Sequence, residues 1–157
     1  MLLAIGAGAE VQRLWLEKWS PADCCPELQD EMGKTVAMHL ACAADPDVQR
    51  LWLEKWSPTD CCPELQDSHR ETVAMARAEA NVQHVWLEKW SPTDCCPELL
   101  DSHGETVAMA RTEANVQHAW LEKWSPTDCC SELQNKRGMT AAMLLANAAC
   151  REVHSCG

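Results

Sequence analysis

The fold of this chain is decided by the eleven residues 48–58, which read VQRLWLEKWSP. The same pattern, with small changes, begins four times, at Val11, Val48, Val82 and Val116. The spacings between successive first tryptophans are 37, 34 and 34 residues. A period in the thirties is typical of a helical repeat array, in which each unit buries its apolar side against its neighbours.

The composition follows from this copying. The 157 residues include eight Trp, eleven Cys and no Phe or Tyr, and each repeat supplies two Trp and one Cys-Cys pair. The net charge of −11 and the absence of a basic run argue against a nucleic-acid surface. No run of eighteen apolar residues marks a membrane-spanning helix. The hydrophobic fraction of 46% argues against disorder.

Each unit contains two helix signals. Residues 35–44 are rich in Ala, Leu and Met, and residues 45–47 (Asp-Pro-Asp) predict the end of this first helix. Residues 48–56 form an amphipathic helix pattern. Its apolar side comprises Val48, Leu51, Trp52 and Trp56, and Arg50 and Glu54 lie opposite. The following Ser-Pro-Thr-Asp, residues 57–60, predicts a further short helical turn. The Trp pairs are therefore predicted to pack in the core.

Between the repeated segments lies a second motif, and it resembles the ankyrin repeat. The pattern D-x-x-G-x-T-P-L-H-x-A is approximated at residues 30–41 (DEMGKTVAMHLA), 101–109 (DSHGETVAM) and 135–146 (NKRGMTAAMLLA). This chain departs from the family at Val36, where Pro is usual, at Met38, where His is usual, and at Arg70, where Gly is usual. The resemblance implies an all-α fold, an ankyrin-like helical repeat solenoid of paired antiparallel helices.

Two alternatives to the ankyrin-like arrangement remain open at this point. They are another two-helix solenoid and a looser helical bundle, because residues 76–81 contain neither Gly nor Pro and could continue as helix. The predicted organisation is a single repeat domain over 1–157. It comprises a partial unit 1–10, units of about 11–47, 48–81 and 82–115, and a last unit 116–157 with an incomplete end.

No catalytic constellation is found, so the chain is predicted not to be an enzyme. Asp67-Ser68-His69 and its copy at 101–103 are consecutive residues, whereas a triad needs side chains converging from separate segments. The Cys-Cys pairs lack the C-x₂₋₄-C spacing of zinc sites, and packing is the preferred interpretation. No cofactor and no metal site is predicted. Capping likewise explains the four Ser-Pro steps without phosphorylation.

The resemblance implies a protein–protein interaction scaffold whose partner contacts the loop tips and the exposed side of the first helices. The partner-binding candidates at the tips are Asp67, Ser68, His69, Arg70, Asp101, Ser102, His103 and Glu105. Those on the first helices are Arg77, Glu79, Arg111 and Glu113. The acidic balance favours a protein partner with a basic surface.

The expected compartment is intracellular, with the cytoplasm preferred, since the stretch 1–9 lacks the positive region of a secretory signal. Nucleic acid and membrane are not expected partners, and the oligomeric state is left open. Two alternative functions remain open. One is a thiol-rich metal-binding protein that uses the Cys-Cys pairs, and the other is a non-functional fragment of a longer repeat protein, because the chain begins and ends inside a unit.

Overall fold

The structure is a computed structural model that describes residues 6–43, 45–76, 80–110 and 120–147. These residues form helices and turns, and no strand occurs among them. The α-helices are α1 (Ala9–Lys18), α2 (Val36–Ala43), α3 (Pro46–Lys55), α4 (Ala80–Lys89) and α5 (Val107–Ala110). Short 3₁₀ helices cover Pro21–Cys24, Pro58–Cys61 and Pro92–Cys95. Residues 120–123 and 141–147 are also helical. The all-α prediction is therefore confirmed.

Helix α3 shows how the repeated segment forms its helix. The Asp45 side chain accepts a hydrogen bond from the Asp47 N–H, and Pro46 occupies the first turn, where a missing N–H costs nothing. The Asp-Pro-Asp sequence predicted to end the first helix thus also starts the second. Trp52 and Leu53 face the core, and the helix ends where Trp56 turns to an extended conformation (φ −102°, ψ 132°).

The Ser-Pro-x-Asp sequence that follows each such helix forms the predicted further turn. In the second unit the Ser57 N–H and Oγ–H both donate to Asp60 Oδ2, at 2.8 and 2.6 Å. The same pair of bonds recurs at Ser20, Ser91 and Ser125. The spacing places the Asp60 carboxylate where it accepts from both the N–H and the hydroxyl of the serine three residues earlier, in the arrangement of a capping box.

The first-helix segments differ between units. Helix α2 follows the prediction for 35–44 closely, whereas residues 73–75 of the next unit form a turn. The predicted ambiguity at 76–81 falls largely on residues 77–79, which lie outside the described residues.

Successive units pack against one another through their second helices. Helix α3 contacts α1 on one side and α4 on the other, and it also contacts α2. The Gln49 amide donates to the Ala41 carbonyl oxygen across the short α2–α3 connection. Between units, the Lys55 Nζ donates to the Leu16 carbonyl oxygen at 3.1 Å, and the Trp52 and Trp86 rings meet edge-on at 5.3 Å.

The tryptophans supply much of the core, as predicted from their place on the apolar side of the helices. Seven are buried: Trp15, Trp52, Trp56, Trp86, Trp90, Trp120 and Trp124. The exception is Trp19, in the first full unit, which is half exposed. Within the described ranges, every helix falls short of the length and apolar character that a membrane crossing requires.

Candidate partner-binding surface

Four turns, one per unit, place the predicted tip residues. We call residues 30–34, 67–71, 101–105 and 135–139 the turn row. In the second turn, Asp67 Oδ1 accepts from the His69 and Glu71 N–H groups at 2.8 and 3.0 Å, and the Asp67 N–H donates to the Glu71 carbonyl oxygen. The same three bonds recur around Asp30, Asp101 and Asn135. The leading residue of each turn therefore organises its own loop.

Neighbouring turns are joined by backbone hydrogen bonds. The Ser68 N–H donates to the Met32 carbonyl oxygen at 2.8 Å, and the Ser102 N–H donates to the His69 carbonyl oxygen at 2.8 Å. In the same way, the Lys136 N–H donates to the His103 carbonyl oxygen at 3.0 Å. Because each bond joins equivalent atoms of successive units, the turn row is one continuous hydrogen-bonded line.

A left-handed backbone explains the glycines of the turns, and at Gly33 and Gly104 the close approach of the next turn adds to it. Gly33, Gly104 and Gly138 have φ of 75°, 75° and 72°, in the left-handed region that side chains disfavour. A Cβ on Gly33 would lie 3.0 Å from the Asp67 Cα. Arg70 adopts the same conformation, with φ of 61°, in spite of its side chain.

The predicted tip residues divide into buried and exposed groups. Asp67 and Asp101 are buried, since their carboxylates serve the turns. Ser68, His69, Arg70 and His103 are exposed, whereas Ser102 and Glu105 are half-buried. Four residues predicted on the first helices, Arg77, Glu79, Arg111 and Glu113, lie outside the described residues. The exposed surface of the turn row therefore consists mainly of the residues after each aspartate.

Glu105 is occupied by contacts within the chain. Its carboxylate accepts from the Asn135 amide at 3.3 Å and pairs with the Arg137 guanidinium at 3.8 Å, so it joins the third turn to the fourth. In the first turn, Asp30 lies 2.7 Å from the His39 imidazole. Backbone hydrogen bonding from Lys34, with His39 and Met32 adding to it, holds the pKa of Asp30 below its usual value.

Glutamine side chains add a second set of links beside the turn row. The Gln29 Nε2 donates to the Gly33 carbonyl oxygen of its own turn and to the Gln66 carbonyl oxygen of the next unit. The Gln66 Nε2 repeats this with the Arg70 and Leu100 carbonyl oxygens, at 2.7 and 3.0 Å. Each of these amides therefore ties a turn to the unit that follows it.

The Cys-Cys pairs have a packing role for the first cysteine and a turning role for the second. Cys61, Cys95 and Cys129 are buried, and burial raises the pKa of the Cys129 thiol to about 11. The thiolate that binds metals is thus disfavoured there. The second cysteines, Cys25, Cys62, Cys96 and Cys130, are all left-handed, with φ of 44–48°. No group of three or more potential metal ligands occurs among the described residues.

Sequence reasoning missed an acidic line on the loops. Glu27, Glu64, Glu98 and Glu132 are exposed, one per unit. Burial raises the pKa of the Cys62 thiol, and the charges of Glu64 and Glu27, from successive units, raise it further. This glutamate stands two residues after each Cys-Cys pair, and that constant position in the repeat is the sequence signal that indicates the line.

No protein-family model matches this chain, and no curated protein matches it. The chain is similar to one chain of the solved structure of Bd0816, a predatory endopeptidase from Bdellovibrio bacteriovorus, in complex with immunity protein Bd3460. The identity is 16%, the match covers 96% of this chain and 91% of that chain, and the TM-score is 0.32. A likeness at this level carries no argument about function.

Proposed function

We propose that this chain is an ankyrin-like repeat solenoid that acts as a protein-interaction scaffold and performs no chemical step of its own. The observation that carries the proposal is the turn row. Its exposed side chains are held at a repeated spacing by backbone hydrogen bonds between units. A surface ordered in advance loses little conformational entropy on binding, which favours recognition of a folded or extended protein partner.

The proposed contact residues are the exposed members of the turn row, chiefly Ser68, His69, Arg70 and His103. Ser102 and Glu105 lie beside them, and the buried Asp67 and Asp101 hold the backbone in place. Further contacts are proposed on the first helices, at Arg77, Glu79, Arg111 and Glu113.

A basic partner surface fits the charge of this chain. The net charge is −11, and the acidic line of Glu27, Glu64, Glu98 and Glu132 is exposed along the loops. Such a field accelerates association and weakens as salt rises. The proposed setting is intracellular, where cysteines are kept reduced.

The test compares two double variants of matched size. His69→Ala/His103→Ala removes two exposed imidazoles from the turn row, and Glu54→Ala/Glu88→Ala changes two exposed residues on the second helices. Proteins captured by the wild-type chain from an extract of its host cells are identified, and the affinity of each for the purified variants is measured.

We expect the imidazole variant to bind the captured partner about tenfold more weakly, as for a moderate interface hot spot, and the helix variant to bind as wild type. Full binding by the imidazole variant together with loss of binding by the helix variant would place the contact surface elsewhere.

A further inference from the structure

One end of the described array exposes apolar residues that the other units bury. Trp19 is 49% exposed, whereas its copies Trp56, Trp90 and Trp124 are 3%, 3% and 5% exposed. Val11 and Leu28 are also exposed, and their second-unit copies are buried or half-buried. With Leu14, these residues form what we call the N-terminal end face: Val11, Leu14, Trp19 and Leu28.

The opposite end exposes a different set. Leu121 is 56% exposed, whereas Leu16, Leu53 and Leu87 are 1%, 2% and 8% exposed. Met143 is likewise 48% exposed, and its copy Met109 is buried. We call Leu121 and Met143 the C-terminal end face. Because the units have nearly the same sequence, the difference in exposure comes from the neighbour that each unit has.

The two end faces are the two halves of the junction found inside the array. Trp124 lines a small cavity together with Leu87 and Trp90 of the preceding unit. The second tryptophan of one unit therefore meets the surface around the leucine of the unit before it. By the same geometry, Trp19 matches the surface around Leu121.

The polar groups of the junction are complementary in the same way. Inside the array, the Lys55 Nζ donates to the Leu16 carbonyl oxygen at 3.1 Å, and the Lys123 Nζ donates to the Leu87 carbonyl oxygen at 2.9 Å. Lys18 and Leu121 are the corresponding residues at the two ends, and both are exposed.

We propose that copies of this chain associate head to tail, with the N-terminal end face of one copy seated on the C-terminal end face of another. The Lys18 Nζ of one copy then donates to the Leu121 carbonyl oxygen of the other. Since the two faces differ and lie at opposite ends, the contact is heterologous and extends into chains of copies. It needs no unrelated partner, so it stands apart from the proposed scaffold function.

The test uses the full chain and one blocked face at a time. Trp19→Asp blocks the N-terminal end face, and Leu121→Asp blocks the C-terminal end face; both residues are exposed, so the fold is expected to survive, which far-ultraviolet circular dichroism checks. Leu28→Asp and Met143→Asp are second variants of the same two faces. Met32→Glu is the matched control, because Met32 is exposed and its copies His69, His103 and Arg137 are exposed inside the array too.

Sedimentation velocity over a wide concentration range should show wild type and Met32→Glu forming species larger than dimers. Each blocked variant should associate at least about thirtyfold more weakly, since each loses one buried apolar anchor and gains a charge. Added salt should strengthen wild-type association by screening the repulsion between acidic copies.

The decisive sample is an equal mixture of Trp19→Asp and Leu121→Asp. Each variant keeps the face that the other lacks, so the mixture should form one-to-one dimers and nothing longer. A monomeric wild type at every concentration would overturn the proposal. So would blocked variants that associate as wild type does, or a mixture that behaves as the sum of its separate components.

Discussion

Gly33 is the position where a single methyl group is expected to loosen the contact between two turns. Its φ is 75°, and a Cβ there would lie 3.0 Å from the Asp67 Cα and 3.1 Å from the Ser68 N. Gly138 has nearly the same φ, 72°, but a Cβ there would meet no heavy atom within 4 Å. Gly33→Ala and Gly138→Ala therefore differ in the presence of a neighbouring turn.

The expected losses of stability follow from these contacts. Alanine in the left-handed region costs about 1–2 kcal/mol, and a lower entropy of the unfolded chain offsets about 0.4–1 kcal/mol of it. Gly138→Ala should thus lower the free energy of unfolding by roughly 1 kcal/mol. Gly33→Ala adds about 1 kcal/mol for weakening the Ser68-to-Met32 hydrogen bond and about 1 kcal/mol or more for moving backbone, which gives roughly 3 kcal/mol.

Urea unfolding measures these losses, and amide hydrogen exchange locates them. Gly33→Ala should accelerate exchange at the Ser68 N–H and leave the Lys136 N–H nearly unchanged. Gly104→Ala should fall between the other two variants, since its Cβ would lie 3.2 Å from the Lys136 N. If Gly138→Ala proved as destabilising as Gly33→Ala, the reasoning from turn-to-turn contact would be refuted.

Four further outcomes are expected. Arg70→Gly should raise the free energy of unfolding by about 1 kcal/mol in urea, because φ is 61° there; a loss of stability would contradict this. Asp67→Ala should cost about 2 kcal/mol in the same assay, since two turn N–H groups lose their acceptor, whereas Asp67→Asn keeps that acceptor and should cost much less; equal losses would argue against the turn role. A thiol reagent should label the exposed Cys25 in the folded chain. It should label Cys61 only after unfolding, because burial hides that thiol and raises its pKa; mass mapping identifies the labelled residues, and early labelling of Cys61 would contradict its burial. The pKa of Asp30 is lowered on folding, so its contribution to stability is present above the usual value of 3.8 and is lost as pH falls through the lower folded pKa. Asp30→Asn should therefore reduce the fall in melting temperature that acid causes, as a pH series would show. An unchanged fall would exclude this contribution of Asp30.

Local spacing was enough to predict the short-range structure. The Ser57-Pro-Thr-Asp60 turn and the amphipathic helix before it depend on residues within four positions of one another, so the sequence contains all of their partners. The same holds for the outward position of Arg50 and Glu54 on that helix, which the structure confirms.

Burial at the ends of the array depends on neighbouring units, and local spacing does not contain it. Trp19 stands in the same repeated segment as Trp56, and nothing in that segment distinguishes the two. In the structure Trp19 is half exposed, whereas Trp56 is buried.

Which residues contact a partner stays a prediction. The sequence does not distinguish the exposed tip residues, such as Ser68 and His69, from Asp67 and Asp101, which are buried and serve the loop. Their Oδ1 atoms accept from N–H groups two and four residues later, a local pattern typical of aspartate at the start of a turn. The sequence shows Arg70 only as a residue that stands where the other turns have glycine. It does not indicate that the backbone there keeps the left-handed conformation, with φ of 61°.

The interruption of the glutamine links at Leu100 has a mechanical consequence. Gln29 and Gln66 each reach a carbonyl oxygen of the following unit, whereas the aliphatic side chain of Leu100 has no donor with which to continue the series. At the seam between the third and fourth units, the side-chain links come instead from Glu105, which accepts from the Asn135 amide and pairs with the Arg137 guanidinium. When the chain is pulled from its two ends, the force that opens this seam should therefore fall as salt screens the ion pair, whereas the glutamine links of the two earlier seams join uncharged groups and should respond little to salt.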